Sequence, residues 1–183
     1  MRWLLRHGDI LDVSADVLIC SGNVYLTLSG GVGGAFLLRY GPEMQTALDS
    51  YLLDRGVRHV ERGAVVEMPP CGSPYRAVLH AVAVDGFYAS SSEVVSEVVA
   101  TSLSRAAVLQ ARRVALAGLA MGYGRLPVRD FAAGLRRVIG RPFPPVEQVV
   151  VCLRSADDVT ELLAHLPTLE PTETDSAPDQ DSV

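Results

Sequence analysis

Apolar residues along the chain fall into two alternating patterns. Short, nearly continuous apolar runs recur at Arg2-Trp3-Leu4-Leu5-Arg6, Asp16-Val17-Leu18-Ile19-Cys20, Gly63 to Met68, Tyr75 to Val84, Val114 to Leu119 and Val146 to Leu153. Runs of this length rich in aliphatic and β-branched residues read as strands, and the nearly unbroken ones as strands buried on both faces. Between them the spacing is helical. Pro42 to Arg55 places Met44, Ala47, Leu48, Tyr51 and Leu52 on one face and stops at Gly56, where a C-cap glycine belongs. Ser92 to Ala111 carries Val95, Val98, Val99 and Leu103 at the same spacing, and Val128 to Ile139 lies between Pro127 and Gly140, a start-and-stop pair suited to a helix. Another helix can begin at Ala35, and Ser155-Ala156-Asp157-Asp158 opens a last one to Leu166, in the manner of a capping arrangement. Strands alternating with helices predict one α/β domain over residues 1–166. From Pro167 to Val183 the chain is rich in Pro, Thr, Asp and Glu, which predicts an acidic disordered tail.

The 16 basic and 21 acidic residues give a net charge of −5. The excess is confined to that tail, which holds Glu170, Glu173, Asp175, Asp179 and Asp181 and no base, so residues 1–166 carry 16 charges of each sign. A neutral domain argues against duplex nucleic acid or an anionic membrane as partner. Every basic residue is Arg. Without lysine there is no P-loop lysine, no Schiff base and no kinase-type ATP-pairing lysine, and the bias suggests GC-rich, bacterial coding. Cys20, Cys71 and Cys152 form no CxxC pair, and His7, His59, His80 and His165 stand far apart. That pattern predicts a reduced, cytoplasmic setting and no metal site. Neither a signal peptide nor a membrane span is evident.

The candidate chemistry lies where two buried strands run into glycine-rich loops that feed helices. One loop holds Gly30, Gly31, Gly33 and Gly34; the other is Met121-Gly122-Tyr123-Gly124-Arg125-Leu126-Pro127. Such loops let backbone amides approach an anion closely, because no Cβ stands in the way. Glycine content alone is equally compatible with ordinary turns. The dinucleotide fingerprint is not met, since Phe36 occupies the place of its third glycine.

Taken together, Gly8-Asp9-Ile10, then Asp16-Val17-Leu18-Ile19-Cys20-Ser21-Gly22-Asn23, then Gly30-Gly31-Val32-Gly33-Gly34-Ala35 resemble the macrodomain signature, with a viral-like stretch at Asn23-Val24-Tyr25-Leu26. Val78-Leu79-His80-Ala81-Val82 and Leu119 to Pro127 are similar to the family's later strand and second phosphate loop. The resemblance, over residues 1 to about 165, implies a three-layer α/β/α fold with a central mixed sheet, binding ADP-ribose, free or attached to protein, and needing no cofactor. It implies that Asp9 accepts from the adenine amino group beside the Ile10 amide, and that Asn23 holds the distal ribose and is the residue to carry any catalysis. Gly30, Gly31, Val32 and Gly33 then form one diphosphate loop, and Met121, Gly122, Tyr123 and Gly124 the other. Three departures bear on activity. Cys20 stands for the family's first asparagine, Gly33 for the aspartate of its most active hydrolases, and Met121 for a glycine. Glycine cannot orient or deprotonate water. An ADP-ribosyl hydrolase acting on modified protein, O-acetyl-ADP-ribose or a 1″-phosphate, and an interaction scaffold with a degenerate cleft, are the alternatives. His80 reads as a core histidine and Cys20 as packing.

Overall fold

The computed structural model describes residues 1–172. In chain order the elements are β1 (Arg2–His7), β2 (Val17–Gly22), α1 (Gly31–Tyr40), α2 (Glu43–Asp54), β3 (Val65–Met68), β4 (Ala77–Val82), α3 (Ser92–Val108), β5 (Arg113–Ala117), α4 (Val128–Arg136), β6 (Gln148–Leu153), α5 (Ala156–His165) and β7 (Glu170–Pro171). They build one sheet in the order β3-β4-β2-β5-β6-β1-β7. Every neighbouring pair is parallel except β3 with β4. The sheet is therefore mixed. Helices α1 and α2 pack together, as do α3, α4 and α5, and these two groups form the outer layers of an α/β/α sandwich.

The apolar runs become the interior. Val17, Leu18 and Ile19, Val78 and Leu79, Val114 to Leu116, and Val149 to Val151 are almost wholly excluded from solvent. All six residues of β4 are buried, as a strand covered on both faces requires. Helix α3 forms despite its valines, because Val95, Val98, Val99 and Leu103 all face the core and burial outweighs the modest propensity cost. Ser91 Oγ accepts from Val94 N–H at its start, and Ser155 Oγ accepts from Asp158 N–H at the start of α5, each supplying an N-cap.

Several boundaries differ from those read in the sequence: α3 ends at Val108 rather than Ala111 and α4 at Arg136 rather than Ile139, and two further differences bear on the site and the sheet. Helix α1 begins at Gly31, inside the glycine cluster rather than at Ala35, so the loop is the first turn of the helix. The chain also remains ordered past Leu166. Leu169 is buried, Glu170–Pro171 pairs with Leu4 and Leu5, and Thr172 N–H donates to Leu5 O at 2.9 Å. Polar composition hid this short segment, which covers the otherwise open edge of β1; proline is tolerated there because an edge strand has hydrogen bonds to spare. The rest of the predicted tail, residues 173–183, lies outside the described residues.

Asp16 sits at the start of β2, opposite the glycine loops. Its Oδ2 accepts from Arg112 N–H at 2.8 Å and Arg113 N–H at 3.0 Å, and its other oxygen pairs with Arg76 at 3.0 Å. It is a brace between strand starts.

Candidate functional site

A cleft of about 280 Å³ opens over the carboxyl ends of the parallel strands, the usual binding edge of such a sheet. Every residue selected from the sequence as a site residue lines it: Asp9 and Ile10 after β1, Asn23 after β2, Gly30 to Gly33 at the head of α1, and Met121 to Gly124 after β5. The sheet order sets their sequence along the cleft. Asp9 lies at the β1 end, the two glycine loops lie in the middle, and Asn23 lies toward β4.

The middle is built from unspent backbone donors. At the head of α1, Gly30 is the N-cap and offers no side chain. The N–H groups of Gly31, Val32 and Gly33 find no acceptor among the described residues, the first bond of that turn being Gly34 N–H to Gly30 O at 3.0 Å. In the second loop the N–H groups of Met121, Gly122, Tyr123 and Gly124 likewise have no internal acceptor, while the loop is closed by Leu126 N–H to Ala120 O and Arg125 N–H to Gly122 O. Ser21 Oγ accepts from Ala120 N–H at 3.1 Å and ties this loop to the end of β2. A helix N-terminus adds partial positive charge, so the cleft attracts an anion without a cationic side chain at its centre.

Close packing explains which glycines are needed. A Cβ on Gly124 would stand 2.5 Å from Ala120 O, and one on Gly33 2.9 Å from Leu28 Cδ2. A Cβ on Gly30 would stand 2.7 Å from Tyr123 Oη, because the Tyr123 ring reaches across the mouth and joins the two loops. Met121, in place of a glycine, folds its thioether back over Gly118, with Sδ 2.9 Å from where a Cβ there would lie. Met121 still lines the cleft, and the left-handed residues flanking the loop are Ala120 (φ 60°) and Arg125 (φ 48°).

At the β1 end Asp9 has two duties. Oδ1 caps the short turn Ile10–Asp12 by accepting from Leu11 N–H at 3.0 Å. Oδ2 pairs with Arg154 at 3.1 Å and with Arg39 at 3.4 Å. Arg39, in the last turn of α1, also holds Asp12 at 2.6 Å, which raises its already high pKa through that hydrogen bond. Helix α1 thus offers amides at one end and anchors Asp9 at the other.

Asn23 is already engaged. Its Oδ1 accepts from Tyr25 N–H at 3.0 Å, and its Nδ2 donates to Thr27 O at 2.9 Å. The side chain closes an Asx turn that places Thr27 in the cleft wall; it does not present a free amide. Gln45 pins the same loop by accepting from Leu28 N–H at 2.8 Å. Arg154, Ser155, Asp158, Tyr88, Thr27 and Ser21 also line the cleft and were not selected from the sequence. Arg154 and Ser155 follow β6 directly, so the rule that sites gather after parallel strands could have found them.

His80 and Cys20 lie below the floor as core residues. His80 Nδ1 is 3.2 Å from Cys20 Sγ, and Nε2 is 3.4 Å from Met44 Sδ. Burial lowers the His80 pKa to about 4 and raises the Cys20 thiol to about 12. A neutral imidazole beside a protonated thiol is inert.

Comparison with known proteins agrees with this architecture. The macro domain family model matches residues 21–134, more than half of the chain. A macro domain-containing protein of Streptomyces griseus is 30% identical over 159 residues, covering 86% of this chain and 90% of that protein. The chain belongs to the macro domain family. An uncharacterised Mycobacterium tuberculosis protein is 26% identical over 147 residues, and the match spans 39% of that longer protein. Among solved structures, an Oceanobacillus iheyensis macrodomain variant with ADPR superposes with a TM-score of 0.80 at 20% identity, covering 89% of this chain and 90% of that one. The Trypanosoma brucei macrodomain in complex with ADP-ribose gives 0.73 at 18% identity, covering 86% and 66%. These similarities establish the fold.

Proposed function

We propose that the protein binds ADP-ribose, free or protein-linked, along this cleft. The observation that carries the reading is the pair of amide-donating loops, whose seven backbone N–H groups have no acceptor among the described residues and which line one cleft. A diphosphate accepts that many hydrogen bonds and satisfies donors that would otherwise rely on water. Asp9 supplies an acceptor for an exocyclic amino group at the base end. The relatives solved with ADPR and ADP-ribose share this fold and so favour the same class of ligand.

Recognition rather than hydrolysis is the reading the side chains support. The polar side chains that line the cleft from the end of β2 and the loops after β2, β4 and β5 are Ser21, Asn23, Thr27, Ser29, Tyr88 and Tyr123, and none of these is a carboxylate or imidazole able to act as general base near neutral pH. Asn23 serves to position Thr27. Isothermal calorimetry with ADP-ribose, with AMP and ribose 5-phosphate as comparators, tests the assignment. Saturable heat with ADP-ribose favoured over both fragments is the expected result; absence of heat at millimolar ligand rejects it. An ADP-ribosylated protein should keep its label during prolonged incubation with the domain.

A further inference from the structure

Four of the chain's Tyr, Phe and Trp side chains are exposed, and they stand on the loops that follow β2, β4 and β5. They are Tyr25 (52% exposed) after β2, Phe87 (94%) and Tyr88 (43%) after β4, and Tyr123 (67%) after β5. They stand along neighbouring loops as a rim. Tyr123 reaches over Gly30, Tyr88 packs on Tyr123 with ring centroids 6.0 Å apart, and Tyr25 Oη approaches Gly86, 3.4 Å from where a Cβ there would lie. The Phe87 loop is held out by Asp85, whose Oδ1 accepts from Phe87 N–H and Ala89 N–H, both at 2.9 Å.

Behind the rim lies a second groove, lined by Tyr25, His59, Glu61, Arg62, Asp85 and their neighbours. It stands back to back with the nucleotide cleft: Asn23 and Val84 line the cleft, and the next residues, Val24 and Asp85, line the groove. By sheet order it lies beyond the Asn23 end, on the β4 and β3 side. Arg62 is paired with Asp85 at 3.4 Å, which leaves Glu61 as a carboxylate with no ion pair among the described residues. Arg58, two residues before Val60, is exposed and does not line the groove. The lining therefore combines a surplus carboxylate with the Tyr25 ring, and the exposed Phe87 follows the lining residue Gly86, a surface that attracts cations. Exposed aromatics at a rim are also typical anchors of polypeptide interfaces.

We propose that this rim and groove dock the polypeptide that carries the ADP-ribose, and that they select basic residues flanking the modified side chain. The inference rests on the ADP-ribose reading above. If the base lies at Asp9 and the diphosphate between the loops, sheet order puts the distal ribose toward the β4 side, where Tyr88 lines the cleft and the groove begins one residue beyond Val84. Lysine or arginine side chains then lie against Tyr25 and Phe87 with their charge facing Glu61.

The test compares full-length protein binding to free ADP-ribose with binding to two synthetic peptides. Each carries one ADP-ribose on a hydrolysis-resistant glutamine amide, flanked by arginines in one and by glutamates in the other. The arginine peptide should bind at least about fivefold tighter than free ADP-ribose, within the range of one cation–π contact, and the glutamate peptide no tighter. Phe87→Ser and Glu61→Arg should each abolish the peptide advantage and leave free ADP-ribose affinity unchanged. Equal binding of both peptides, or an advantage that survives both substitutions, overturns the inference while the nucleotide reading stands. Failure to bind free ADP-ribose at all overturns both.

Discussion

Asp9 shows how one residue can serve fold and site together. Its carboxylate caps a turn and holds two guanidinium groups, yet a carboxylate has about four acceptor positions, so room remains for an amino group. Asp9→Ala is expected to weaken ADP-ribose binding by about tenfold or more, the worth of one hydrogen bond to a charged group. Unchanged affinity in a titration rejects the assignment. Glycines in the second loop separate packing from openness. Gly124→Ala drives a Cβ into Ala120 O, whereas a Cβ on Gly122 meets nothing within 4 Å. Thermal melts should therefore show Gly124→Ala destabilised by about 1–3 kcal/mol and Gly122→Ala nearly unchanged. His80 makes a pH prediction. Its folded pKa of about 4 lies below the unfolded value of 6.5, so the unfolded chain takes up a proton first as pH falls. Stability is full above pH 6.5 and is lost between 6.5 and about 4, by about 3 kcal/mol in total. Denaturant unfolding of wild type and His80→Leu at pH 7 and pH 5 checks this: wild type should lose about 2 kcal/mol more than the variant across that interval, and parallel losses would rule the histidine out.

At the scale of elements, helix α1 and strand β7 teach opposite lessons about reading a sequence. The glycine cluster reads as a loop because glycine disfavours helix, yet its residues form the first turn of α1. The cost is offset where amides must remain open and where Leu28 and Tyr123 leave no space for a Cβ. Strand β7 is invisible for a different reason. Two paired residues carry no period, and acidic, proline-rich neighbours dominate any composition window. Leu169 is nonetheless buried, and Glu170 pairs with Arg2. A chain ending after Leu166 should be about 2 kcal/mol or more less stable than one ending after Thr172, from the loss of one buried leucine and an edge pairing. Equal denaturation midpoints for the two chains would show that β7 contributes nothing.

For the molecule as a whole, the decisive property is that a domain with balanced charge offers an anion site through its backbone. Arg154, the arginine that lines the cleft, is already paired with Asp9, which Arg39 also holds. Binding should then depend weakly on ionic strength. Between about 0.05 and about 0.5 M salt, ADP-ribose affinity should change by less than about threefold, because screening acts on free charges far more than on amide donors in a partly enclosed cleft. A steep salt dependence would point to unpaired guanidinium groups instead.

The sequence by itself determined the buried strands, the main helices, their alternation and the two glycine-rich turns, because apolar periodicity and residues without a Cβ are local signals. It marked Asp9, Ile10, the two loops and Asn23 as a group through their order along the chain. Only the tertiary structure decided that these residues share one cleft, since strand order is set by long-range pairing that no local pattern encodes. It also decided that Asn23 spends its amide on a turn, that Arg154 and Ser155 join the site, and that the exposed aromatics stand on neighbouring loops. A side chain's partners depend on which strand ends the sheet brings together, and that choice belongs to the packed fold as a whole.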